Sequence, residues 1–358
     1  MSPDYHTRYR DAQALLRKPG ERWCYGLLAV ALLAFPWAGG AFLTGEASYI
    51  FIMAIASLGL MLLTGYSGQV SLGHSAFLAV GAYGHTWMLT QGMPLPLSLP
   101  LAALMAAAAG VVVGLPAIRV SGLYLAMVTL SFSVLVGFVT GHWSAVTGGF
   151  TGIAVPAPEV LGVALGGRVA FYYLCLGLLL GVLLGAINVT RSMLGRALVG
   201  VRDSEAASYS LGLPVARIKV AAFAASAAVA GLAGALLAHQ LQYLTPDAFG
   251  LLVSMDLVLM VVIGGLGSLR GAILGAVLIS MLPNFISRLK LLLPAGLAAQ
   301  FGFETFIAGG VLALFVLFEP QGLNGRWLKL RAWLETFPMV RRDTFRRVKR
   351  YMTSAHYR

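Results

Sequence analysis

The chain has 358 residues, of which 59% are hydrophobic and only 11% charged, and its mean hydropathy is +0.84. A soluble domain carries about a quarter charged residues, so the composition excludes an ordinary soluble enzyme and describes a polytopic membrane protein. The net charge of +12 does not point to nucleic acid, because ten of the 25 basic residues fall from Arg326 onward and five precede Trp23, where they flank apolar runs.

Runs of about 18 or more apolar residues mark candidate membrane helices. They lie near 23–43, 48–64, 71–90, 96–118, 122–140, 168–190, 218–240, 250–268, 271–290 and 300–318. The first follows a polar N-terminal segment (1–22) rather than a short cleavable h-region, so no processed signal is expected. The spacing predicts an all-α, polytopic membrane helix bundle of about ten transmembrane helices. Charge supports that count. With both termini cytoplasmic, the inner side collects the five N-terminal cations, Arg119, Arg191, Arg196, Arg202, Arg217, Lys219, Arg270 and the ten C-terminal cations. The outer side keeps Arg168, Arg288 and Lys290. The positive-inside rule predicts this asymmetry.

Between the second and third runs stands Gly65-Tyr66-Ser67-Gly68-Gln69-Val70-Ser71-Leu72-Gly73-His74. Three glycines, two serines, a phenol, an amide and an imidazole do not build a lipid-facing helix. The segment is either a surface turn between two helices or an unwound helix that exposes backbone dipoles, Gln69, Ser71 and His74 inside the membrane. Irregular backbone at that depth is tolerated only against protein or a water-filled cavity, and Gly-interrupted segments of this kind mark transporter binding sites. His74 is not expected to ligate a metal, because no second His or Cys stands at ligand spacing. Cys24 and Cys175 lie in apolar runs and imply no disulfide framework. No cofactor is called for.

Further along, Tyr124, Thr129, Ser131 and Ser133 give the fifth helix a hydroxyl-bearing face. Residues 141–167, with Thr147-Gly148-Gly149-Phe150-Thr151-Gly152 and Pro156 and Pro158, read as a turn-rich connector on the outer side. The ridges Gly177/Gly181/Gly185, Gly110/Gly114 and Gly271/Gly275 have helix-packing spacing. In the 191–217 loop, Asp203 or Ser204 can cap a short helix whose first turn carries Glu205; Gly212 and Pro214 stop it. Asp256 is the clearest ionisable residue inside a span and a functional candidate by default. The segment 321–358 begins with Trp327, Leu328, Leu330, Trp333 and Leu334 among basic residues, a pattern suited to a cytoplasmic lipid surface.

Several of these segments resemble one family. Residues Gly65–Tyr83 resemble the signature of branched-chain amino acid ABC transporter permeases. Val120–Leu130, Thr147–Ile153, Gly195–Lys219 and Val261–Leu269 match the same family in the same order, over roughly residues 45–320. The resemblance implies a type II-like ABC importer permease architecture, with residues 23–320 as the permease domain, in the inner membrane of a bacterium. The permease performs no covalent chemistry and is not an enzyme. The substrate pathway expected from the resemblance draws on Tyr66, Gln69, Ser71, His74, Tyr83, Thr129, Thr147, Gly148 and Gly149. Glu205-Ala206-Ala207 and Gly212 are similar to the EAA…G coupling pattern of importers, with Gly one residue further away; Arg196, Arg202, Asp203 and Arg217 complete the expected ATPase-coupling set. Implied partners are two ATP-binding cassette subunits, a second related permease and a periplasmic or lipid-anchored substrate-binding protein. No Gly-Lys dipeptide occurs, so no P-loop ATPase is expected within the chain. Urea or short-chain amide permeases share much of the signature and are the alternative cargo class. A secondary transporter requires an ion-coupling site, for which Asp256 is the only candidate. An intramembrane enzyme requires clustered acid, base or metal groups, which are absent.

Overall fold

The computed structural model describes residues 19–160, 163–164, 167–290 and 322–336, with positions 307, 309, 310, 313 and 317. Helices α1 (Pro19–Ala38) and α2 (Gly40–Leu60) are separated at Gly40, whose φ of +67° breaks the run. Helix α2 continues into a π-helical turn, Met61–Tyr66. There follow α3 (His74–Thr90), α4 (Leu95–Gly114), α5 (Leu123–His142), the short α6 (Ser144–Thr147), α7 (Arg168–Arg191), α8 (Met193–Asp203) and α9 (Glu205–Ser210). The chain then forms α10 (Val215–Leu241), α11 (Leu251–Gly264), α12 (Leu269–Lys290) and α13 (Gly322–Thr336).

Two small antiparallel ribbons interrupt the all-α plan. Strand β1 (Ile153–Ala154) pairs with β4 (Tyr243–Leu244), and β2 (Glu159–Val160) pairs with β3 (Val163–Ala164). The 141–167 connector is therefore a folded cap rather than an open loop.

Among the described residues, seven helical segments are long and apolar enough to cross a membrane. Helix α3, at 17 residues, and the apolar part of α1, Trp23–Trp37, are shorter than that measure requires. Helices occupy the places expected for the first nine runs; the run near 300–318 lies outside the described residues apart from isolated positions. The clearest boundary correction is at the third run. Its helix begins at His74, not 71, because the chain is non-helical from Gly68 to Gly73.

Helix α10 is the centre of the bundle, packed against α2, α3 and α4. Its sequence explains this. Ala227, Ala230, Gly231, Ala233, Gly234 and Ala235 are buried, and small residues let helix backbones approach closely where lipid competes with larger apolar side chains. A Cβ on Gly110 would lie 2.8 Å from the Phe223 carbonyl, and one on Gly59 would lie 2.9 Å from the Ser226 carbonyl. Gly81 faces Gly231, and Gly234 faces the Leu78 backbone. Pairings along the helices fix directions: Gly59 and Gly45 of α2 meet Ser226 and Gln240, so α2 is antiparallel to α10. His74 and His85 of α3 meet Ser226 and His239, so α3 is parallel to it.

The ridges Gly110/Gly114 and Gly271/Gly275 pack as expected, on α10 and on α11. The third ridge does not. Among the described residues, nothing lies within 4 Å of a Cβ placed on Gly177, Gly181 or Gly185, so no described helix packs on this face of α7.

Candidate functional site

The segment between α2 and α3 resolves into two parts. Residues 66–68 form a turn beside α8. Residues 69–73 then run as an irregular, non-helical segment with Gln69, Ser71 and Gly73 buried, so α3 starts inside the bundle. His74 Nε2 is 3.3 Å from Ser226 Oγ, near the middle of the 27-residue span Val215–Leu241. At ~1.5 Å per residue, Ser226 lies roughly 16 Å along α10, about half the ~30 Å hydrocarbon thickness. The segment thus combines a turn at one end with a buried, non-helical stretch at the other.

Glycines make this path possible. A Cβ on Gly73 would run into the Thr129 carbonyl of α5. Gly68 has φ +73°, and a Cβ there would lie 2.7 Å from Arg202 Cγ. The π-helical turn ends in Gln69 N–H donating to the Leu63 carbonyl at 3.2 Å, while the Thr64 hydroxyl donates to the Gln69 carbonyl at 3.1 Å.

The freed backbone at the start of α3 is satisfied by hydroxyls of neighbouring helices. Leu72 N–H donates to Thr129 Oγ1 at 3.0 Å, and Ser75 N–H donates to Ser254 Oγ of α11 at 2.9 Å. The Ser254 hydroxyl donates to Ser75 Oγ at 2.7 Å, which is 3.2 Å from Ser133 Oγ of α5. Serines from three helices therefore meet at the break. Ser226 donates to the Gly59 carbonyl at 2.7 Å, so it accepts from His74 Nε2–H, which leaves His74 Nδ1 as a bare acceptor.

That atom is one of several. Gln69 Oε1, Ser71 Oγ, His74 Nδ1 and Tyr83 OH are buried and have no hydrogen-bond partner among the described residues. The Gln69 amide donates to Ser67 Oγ, which leaves its oxygen free. Tyr83 stands nine residues along α3, packed on Phe249 with ring centroids 5.9 Å apart. His85 Nδ1, further along α3, is a fifth; an unpaired buried polar atom costs ~1–3 kcal/mol, so five in one helix and its lead-in are expected only where a ligand or water completes them.

Other expected pathway residues lie elsewhere or are spent on the backbone. Thr129 donates to the Ala126 carbonyl and accepts from Leu72, so its oxygen holds the irregular segment in place. Thr147 donates to backbone carbonyls of Thr140 and Trp143 and accepts from Gly149 N–H. Gly148 and Gly149 have φ of +74° and +64°, so this Thr-Gly-Gly turn is a tight cap at the far end of α5. The Tyr66 hydroxyl lies beside Thr190 and Arg202. Asp256 is exposed on α11, one face away from Ser254 and near Tyr49.

At the α8–α9 end the short helix forms as its sequence requires. Ser204 is the N-cap, accepting from Ala207 N–H at 3.2 Å, and Gly212 at φ +76° terminates it. A second capped helix, α8, precedes it, with Ser192 accepting from Leu194 and Gly195. Arg196, Ala206, Gly212 and Arg217 are exposed here, as are Met193, Leu194, Tyr209 and Leu211. The apolar four were not singled out by the sequence; their signal was large apolar side chains within a polar loop. Arg202 pairs with Asp203 at 2.9 Å and donates from Nη1 to the Gly65 carbonyl at 2.9 Å. Lys219, expected at the inner end of the 218–240 run, is buried in α10 and pairs with Glu205 at 2.6 Å. A cavity of about 180 Å³ lies between these groups and Ser67, Gly68, Gln69, Ser121 and Gly122.

A family model described as "Branched-chain amino acid transport system / permease component" matches residues 43–319. The chain is 36% identical over 324 residues to the high-affinity branched-chain amino acid transport system permease protein LivM of Escherichia coli, covering 83% of this chain and 73% of that one. The LivM protein of Salmonella typhimurium is equally similar. The autoinducer 2 import system permease protein LsrC of Enterobacter sp. is 30% identical over 296 residues, 79% of this chain and 78% of the relative. No solved structure matches.

Proposed function

From the premise that this chain belongs to the branched-chain amino acid transport permease family, we propose that it is the membrane-spanning permease of an ATP-driven importer that carries leucine, isoleucine and valine across the inner membrane of a bacterium. The relatives named LivM support that cargo over urea or amides. ATP is hydrolysed by two separate cassette subunits, a second permease completes the membrane unit, and a periplasmic or lipid-anchored binding protein delivers substrate. The bundle has ten spans with both termini cytoplasmic, so the α8–α9 end faces the cytoplasm. The basic segment 321–358 rests on the lipid surface.

The observation that carries this reading is the broken helix at mid-depth with its unpaired polar atoms. The N-terminus of α3 bears the positive end of a helix dipole, suited to a carboxylate. Gln69 Oε1, Ser71 Oγ, His74 Nδ1 and Tyr83 OH supply acceptors for an ammonium without any fixed charge. A zwitterion passes such a site without being trapped by it. Exposed Met193, Leu194, Tyr209 and Leu211, rimmed by Arg196 and Arg217, suit a protein surface docked on α8 and α9. Asp256 does not support a self-sufficient ion-coupled carrier, because it lies on the outside of the bundle and apart from the break.

Reconstitution tests the proposal. The complex with its ATPase subunits should take up leucine into liposomes only with ATP and a loaded binding protein. Leucine transport by this chain alone, without an ATPase, contradicts it.

A further inference from the structure

Resting on the importer reading, we infer that Lys219 and Glu205 form an internal strut through which the coupling helix α9 drives the break between α2 and α3, so that Glu205 serves as a positioning residue inside the permease and not as an ATPase-docking contact. Lys219 stands in α10 with its side chain only 4% exposed, and its ammonium is 2.6 Å from Glu205 Oε1 at the first position of α9. The same ammonium donates to the Ala117 carbonyl at 3.4 Å, in the 3₁₀ turn that ends α4. One buried cation thus pins together α4, α9 and α10. Desolvating an ammonium is expensive unless it is paired, so α9 cannot move while α10 and α4 stay still without breaking the pair.

A second tie completes the linkage. Arg202, three residues before Glu205, donates to the Gly65 carbonyl at the end of the π-helical turn of α2. Gly68 is shaped to accept the Arg202 stem. Two residues further, the chain enters the irregular segment that leads to His74, and His74 in turn meets Ser226, seven residues along α10 from Lys219. A displacement of α8 and α9 together therefore reaches the break by two routes, through the Arg202–Gly65 bond of α8 and through the Glu205–Lys219 pair of α9 and α10. The cavity of about 180 Å³ lies between the two ties, lined by Gln69, Arg202, Glu205 and Lys219. A close-packed joint resists displacement; this one has room to close.

The test is a double-mutant cycle on the complete complex in liposomes, using Lys219→Met, Glu205→Gln and the pair together. Three quantities are read: ATPase subunits retained on purification, ATP hydrolysis, and L-leucine uptake. Each single variant should keep its ATPase subunits yet consume roughly fivefold or more ATP per leucine moved, the lower end of allosteric coupling. The double variant should be no worse than the worse single one, because the two residues act through one bond. Multiplying losses in the double variant, or an unchanged ATP-to-leucine ratio in both singles, overturns the strut. Loss of the ATPase subunits from Glu205→Gln also overturns it, since that outcome makes Glu205 a docking contact. If Lys219→Met does not fold, Glu205→Gln decides on these same readouts, because Glu205 is 42% exposed and the amide keeps its volume. A wild-type complex that retains no ATPase and moves no leucine is a different result, and it removes the importer reading itself.

Discussion

Two glycine-rich polar segments of this chain, 65–74 and 147–149, look alike in sequence and differ in what happens to their polar atoms. In the Thr-Gly-Gly turn, the Thr147 hydroxyl bonds two carbonyls and one N–H, and both glycines occupy left-handed backbone. Every feature there is accounted for by turn formation. At the break between α2 and α3, the buried Gln69 Oε1, Ser71 Oγ and His74 Nδ1 are left without partners among the described residues, while the backbone around them is held by hydroxyls from α5 and α11. Polar residues that satisfy the fold are structural; polar residues that the fold holds in place and leaves open are available to a passing solute.

The sharpest way to break this comparison is at the glycines. Gly73→Ala pushes a methyl into the Thr129 carbonyl, where neither backbone can yield; overpacking of this kind costs ~1–3 kcal/mol or more, and loss of folded protein on size-exclusion chromatography is expected. Gly148→Ala should be comparably damaging, through a clash with the Gly152 carbonyl and a φ of +74°. Gly122→Ala has open space and only its backbone, at φ +62° and ψ -130°, against it, so its cost should be the ~1–3 kcal/mol of backbone strain with no clash added.

The comparison is sharpened by side chains. Gln69→Leu removes the unpaired Oε1 and should leave the melting temperature unchanged or raised while leucine uptake falls by about tenfold, equivalent to ~1.4 kcal/mol at the transition state. Thr147→Val should do the opposite, lowering stability by ~1–3 kcal/mol through an unpaired Gly149 N–H and the lost hydroxyl bond to the Thr140 carbonyl, with uptake per folded molecule retained. Thr129→Val belongs with Thr147 by this logic and should show reduced thermal stability, because Leu72 N–H loses its acceptor. If Thr129→Val instead changes the Michaelis constant for leucine uptake at unaltered stability, Thr129 touches substrate and the division drawn here fails.

The smallest effect is expected on α7. Gly177→Leu meets nothing within 4 Å among the described residues and should change stability of the folded chain by no more than ~0.5 kcal/mol. Loss of complex assembly in that variant would mean that the open ridge is covered by another subunit.

Much of this architecture was legible in advance. Nine of the apolar runs correspond to helices, because hydrophobic length is a strong signal, and Ser204, Glu205 and Gly212 announced α9 through capping chemistry alone. The break at 65–74 was legible as an anomaly, but its depth was not. That depends on Ser226, Ser254 and Thr129, which lie 152 to 179 positions from their partners on α3 or 57 positions from Leu72, and no local pattern encodes such pairings. The pairing of Lys219 was not legible for a related reason: a cation at the edge of an apolar run does not show which carboxylate, here Glu205, is folded beside it. The Gly177 ridge failed differently, since small-residue spacing states that a face can pack and not which helix covers it.

The central claim is that residues 69–73 return from the α8–α9 end into the middle of the bundle. Cysteine labelling tests it most directly. In a background lacking Cys24 and Cys175, Ser71→Cys and the exposed Ser210→Cys are treated with a membrane-impermeant thiol reagent from the cytoplasmic side of the reconstituted complex. Ser71→Cys should resist labelling at rest, when it is fully buried, and become reactive during ATP-driven turnover, while Ser210→Cys reacts throughout. Equal, ATP-independent labelling of the two positions would make the segment a surface turn and contradict the claim.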